Sequence, residues 1–113
     1  MRFVISFAAL CWILTPAVGG ENTGESTYKA QCLKCHGYKG DGHGHADMKI
    51  KPADLRSEDV QKKSDEELFN SIAFGVGHKE YAHAFAERGL DRKQISEVVS
   101  YIRTLATASK NAK

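Results

Sequence analysis

The chain has 113 residues, 42% of them hydrophobic and 27% charged, with 16 Lys and Arg against 14 Asp and Glu for a formal net charge of +2. That length suits one small domain, and so even a charge balance gives no reason to invoke nucleic acid as a partner.

Met1 to about Gly20 reads as a secretory signal peptide: Arg2 gives a positive start, Phe3 to Leu14 is almost wholly apolar, and Thr15 to Gly20 is a small-residue exit. The apolar run is shorter than the roughly 20 residues of a spanning helix, so the mature chain is expected not to span a membrane. Leu10 is bulkier than the small residue that lipid processing at Cys11 would need. Cys11 therefore leaves with the signal, and the domain expected over residues 21–113 keeps only Cys32 and Cys35. Its Lys and Arg exceed its Asp and Glu by one. A domain this short has a thin core and gains from a bound cofactor.

Glu21 to Ser26 is polar and reads as frayed, and Thr27 to Gln31 as a short helix with Tyr28 one turn ahead of Cys32. Next comes Cys32-Leu33-Lys34-Cys35-His36, the spacing of covalent haem attachment. Two thiols on one helical turn reach the edge of a single porphyrin and form thioethers with its vinyl groups, and the imidazole that follows ligates the iron. Two other chemistries use paired cysteines. A redox disulfide sits at the head of a helix after a strand, and no strand pattern precedes Cys32. A structural zinc site shows a second paired group at its own spacing, and none occurs. Together with the export signal, the motif points to one covalent haem c (heme c).

Gly37 to His45 is too rich in glycine for a regular element and reads as a loop, in which His43 and His45 are solvated or available to a surface metal. Met48 follows, then Lys51-Pro52-Ala53-Asp54-Leu55. Ser64 to Glu67 is a capping box that opens a helix carrying Leu68, Phe69 and Ile72, which Gly75 and Gly77 end. Gly75 to Phe85 reads as a loop bearing His78 and His83, and Ala84 to Arg88 as one further turn. Asp91 and Gln94 cap the last helix, whose Ile95, Val98, Val99, Ile102 and Leu105 form one apolar stripe with Tyr101 at its edge. No alternating strand pattern or repeat appears, so the domain is expected to be all-α.

In this order the residues resemble small, single-haem, class I c-type cytochromes of the bacterial periplasm. The likeness rests on Tyr28 ahead of Cys32-x-x-Cys35-His36-Gly37, on Gly40-Asp41-Gly42-x-Gly44, on Lys51 to Leu55, on the helix from Glu66 to Gly75, and on Gln94 to Arg103. It implies an all-α, cytochrome c-like domain wrapped around one haem, with the terminal helices crossing and Tyr101 near the first of them. It further implies that the Pro52 carbonyl accepts a hydrogen bond from the His36 ring, which would fix the ring and raise its basicity.

One departure bears on function. Members of that family usually carry an axial methionine before the final helix, and here the place reads Tyr81-Ala82-His83-Ala84-Phe85. His83 is the expected sixth ligand, with His78 and then Met48 as alternatives; Met48 lies in the loop of Pro52 and would have to cross to the opposite face. Two imidazoles imply a low-spin iron at a lower potential than methionine would set, hence a one-electron carrier rather than an enzyme. Periplasmic or membrane redox proteins are its expected partners. Lys34, Lys39, Lys49, Lys51 and Lys79 are positioned to steer docking or simply to keep the surface soluble. The alternative is a gas-binding, sensory or peroxidatic haem protein with an open or labile sixth site; a third is a subunit of a larger redox complex.

Overall fold

The computed structural model describes residues 23–78 and 83–112, and the expected signal segment lies outside them. The described residues are helical with no strand: α1 (Thr23–Gln31), α2 (Leu33–His36), α3 (Glu58–Gln61), α4 (Asp65–Phe74) and α5 (Arg92–Asn111). None of these helices is long and apolar enough to cross a membrane.

α1 packs along α5, the long helix on which the core is built. Its described part begins at Thr23, earlier than polarity alone suggests, for reasons that lie in tertiary contacts. Gly24 and Tyr28 are buried one turn apart, and the Thr23 hydroxyl donates to Glu97 of α5. A Glu25–Lys29 ion pair at 2.7 Å adds a modest i,i+4 contribution. The Tyr28 and Tyr101 rings meet at 5.1 Å where the two helices cross.

Both predicted capping boxes form. Ser64 and Glu67 open α4, and Asp91 and Gln94 open α5, each side chain reaching the other's backbone N–H. Ile95, Val98, Val99 and Ile102 of α5 close over Leu68, Ile72 and Ala73 of α4, with Val60 and Phe85 completing the core. α3 is a single turn that periodicity misses because it offers one buried residue, Val60. Its local signal is Ser57, whose side chain accepts from the Val60 N–H.

Arg103 straps α5 to this region. Its guanidinium donates to the Gln61 and Lys63 carbonyls, the Gln61 side chain and Asp65. The glycine loop folds back on the attachment segment, with Gly42 N–H to His36 O at 2.9 Å, Gly44 N–H to Cys35 O at 3.2 Å and Ala46 N–H to Lys34 O at 2.9 Å. These bonds replace a regular element around His36.

Candidate functional site

Between α1–α2, the segment 48–53, and residues 77–78 and 83–88 lies a cavity of about 780 Å³. Cys32, Cys35, His36, Met48, Pro52, His78 and His83, all the candidates from the sequence, line it. Lys51 and Arg88 also reach its wall, which carries no carboxylate among the described residues. The volume is that of a site for a cofactor of several tens of atoms. A void of about 40 Å³ behind it touches Cys32, His36 and His83 as well.

Cys32 and Cys35 are not joined to each other. Burial, with Cys35 nearby, pushes the Cys32 thiol up to about 12, so it is a neutral S–H. His36 is 8% exposed. Burial lowers its pKa, opposed by the Ala53 backbone, and the nearby His78 lowers it further. Its Nδ1 is buried and closes no hydrogen bond. The expected bond to Pro52 is therefore not made. The Pro52 carbonyl lies against Gly42, 2.6 Å from where a Cβ on that glycine would sit. A buried ring nitrogen without a partner is a polar group left for a ligand or for a small shift of the Ala53 backbone to satisfy.

His83 is held differently. Its Nδ1 is 3.0 Å from the Ser71 carbonyl. A carbonyl can only accept, so Nδ1 carries the proton and Nε2 keeps its lone pair. Burial lowers the pKa to about 4, the Ser71 carbonyl opposes this, and His78, His36 and Arg88 add to it. The ring is neutral at physiological pH, as a metal ligand must be. Phe85 stacks on it at 5.6 Å, and the Arg88 guanidinium lies 5.2 Å over Phe85.

The His36 and His83 ring centres are 6.1 Å apart at an interplanar angle of 39°. Two metal–nitrogen bonds of about 2.0 Å in line, plus the reach from each nitrogen to its ring centre, come to roughly 6 Å. The separation of the ring centres matches that length. His78 sits edge-on to His83 at 4.0 Å. Met48 is half-buried in the cavity wall.

His43 and His45 do not line the cavity. His43 is exposed, with Nε2 3.1 Å from the Lys51 ammonium and Nδ1 3.4 Å from Asp41. Lys34, Lys39, Lys49 and Lys51 are exposed, and Lys79 lies outside the described residues. The contribution that sequence reasoning missed is the Ser71 carbonyl, a backbone group for which residue identity carries no signal.

A family model described as "Cytochrome C oxidase, cbb3-type, subunit III" matches residues 20–102. No curated protein and no solved structure matches the chain.

Proposed function

Since the chain belongs to the cytochrome c oxidase, cbb3-type, subunit III family, we propose that it is a periplasmic one-electron carrier with a single haem whose iron is shared by His36 and His83. Membership makes it a class I c-type cytochrome domain, all-α, with covalently bound haem c.

The 6.1 Å separation of the two imidazole rings across the cavity is the observation that carries the axial assignment. The Cys32 and Cys35 thiols would hold the haem by adding across its vinyl groups, sulfur to one carbon and hydrogen to the other, with no net oxidation. Bound haem supplies a one-electron iron couple. His36 and His83 would both hold the iron, which would favour electron transfer over substrate chemistry. Pro52 and its neighbours wall the cofactor on the His36 side. The leader-like residues 1–20 support export, and redox proteins of the periplasm or its membrane are the partners.

A midpoint titration tests the reading. Methionine raises haem potentials, so the protein should titrate below methionine-ligated relatives, and its ferrous spectrum should respond little to carbon monoxide. A high potential would favour Met48 instead. A rapid and complete carbon monoxide shift would favour the gas-binding or sensory reading.

The second reading is a subunit of a larger redox assembly. Exposed Tyr38, Ile50, Phe74 and Val76 support it, since large apolar side chains in water are what a partner covers. Purification as a stable monomer from its native membrane and periplasm would count against it.

A further inference from the structure

Resting on the reading of His83 as an iron ligand, we infer that the carboxyl end of α4 is its positioning device. Through the Ser71 carbonyl, it holds the imidazole with Nε2 aimed for the metal and strengthens that nitrogen as a donor.

The last four carbonyls of a helix have no partner within it. In α4 three of them are taken up by the segment that carries His83. Ser71 O accepts from His83 Nδ1 at 3.0 Å and from Gly75 N–H at 3.1 Å. Ile72 O accepts from Phe85 N–H and Ala73 O from Ala86 N–H, each at 3.1 Å. Gly75, at φ +73°, turns the chain off the helix axis and leaves these oxygens accessible. Ala84 sits between the docked residues at φ +44°. That is a conformation an alanine keeps only when its surroundings impose it. Side chain and backbone of residues 83–86 are therefore locked onto one helix end.

The consequence is electronic as well as geometric. The carboxyl end of a helix carries partial negative charge, and here it faces the ring N–H. A polarised Nδ1–H makes Nε2 more basic, which would favour ferric over ferrous iron.

The test removes the tether and keeps the pocket. Holoprotein carrying His83→Gly is titrated with imidazole, which has an N–H to offer Ser71, and with 1-methylimidazole, which does not. Imidazole should restore the low-spin ferric spectrum with at least about tenfold higher affinity, the scale of outer-shell effects on metal sites, and should give the lower midpoint potential. The same two compounds on a short haem peptide lacking α4 give the intrinsic ratio for comparison. Equal affinity and equal potential in the protein would overturn the positioning role while leaving His83 as the ligand. A His83→Gly protein that stays low-spin without any added base would instead overturn the ligand reading itself. Should that variant fail to load haem, NMR of the unaltered ferric protein decides. The His83 Nδ1 proton should survive in deuterium oxide after the exposed histidines have exchanged; its equally fast loss would contradict the inference.

Discussion

The Tyr28 hydroxyl donates to the Gly37 carbonyl at 2.8 Å, tying the helix before the attachment turn to the residue directly after His36. Burial pushes the phenol's pKa up, so it remains a donor well into alkaline solution. The Gly40 N–H also donates to that carbonyl, at 3.2 Å. Tyr28→Phe therefore removes one bond without orphaning the acceptor. It should lower stability by about 1 kcal/mol in chemical denaturation and leave the haem spectrum unchanged.

Arg103 makes a larger contribution because it serves several acceptors on two chain segments at once. Arg103→Leu should lose about 2–3 kcal/mol by the same measurement, since the Gln61 and Lys63 carbonyls lose a charged donor. Arg103→Lys should recover only part of this, because an ammonium cannot reproduce the planar fork.

Two glycines separate crowding from backbone strain. A Cβ on Gly44 would collide with the Lys34 carbonyl oxygen and lie 2.6 Å from the Cys35 carbonyl, both backbone atoms of the attachment turn. Gly44→Ala should cost about 3 kcal/mol or more and reduce the haem-loaded fraction measured by visible absorbance and intact mass. Gly77 is at φ +85° with nothing within 4 Å of a Cβ. Gly77→Ala should show only the left-handed penalty of about 1–2 kcal/mol.

The pH dependence at the Asp54–Arg56 pair has a definite sign. The Arg56 side-chain hydrogen bond holds the Asp54 carboxyl below its ordinary 3.8. The unfolded chain thus takes up the proton at higher pH than the folded one, and the stabilisation is complete above 3.8 and lost as pH falls through the folded value. Asp54→Asn keeps an oxygen for the Arg56 backbone and Nε N–H groups, and removes the charge together with the Oδ2 that accepts from Arg56 Nη2. Denaturation at neutral pH should show the small loss expected of a partly exposed pair, and wild type and variant should converge in strong acid.

Much of this site was legible because its chemistry is written in side chains. Cys32, Cys35 and His36 carry their spacing openly, and His83 draws attention because it stands where the family resemblance leads one to expect methionine. The caps at Ser64 and Asp91 were equally plain, since each pairs with a polar residue three positions on. What escaped was written in the backbone. The Ser71, Ile72 and Ala73 carbonyls dock the His83 segment whatever their side chains are, and α3 is too short to show a period. The start of α1 was misjudged because Thr23 and Gly24 owe their helical state to α5 rather than to local preference. The hydrogen bond expected between His36 and the Pro52 carbonyl is not formed, and the backbone group nearest the ring belongs to the next residue, Ala53.

The proposed function stands on His36 and His83 together holding the iron. Low-temperature electron paramagnetic resonance of the ferric protein, recorded beside His83→Ala, His78→Ala and Met48→Ala, addresses it most directly. Low-spin iron is expected in the wild type and in the His78 and Met48 variants, and conversion to high spin in His83→Ala alone. Low-spin iron that survives in His83→Ala and is lost in Met48→Ala or His78→Ala would contradict it.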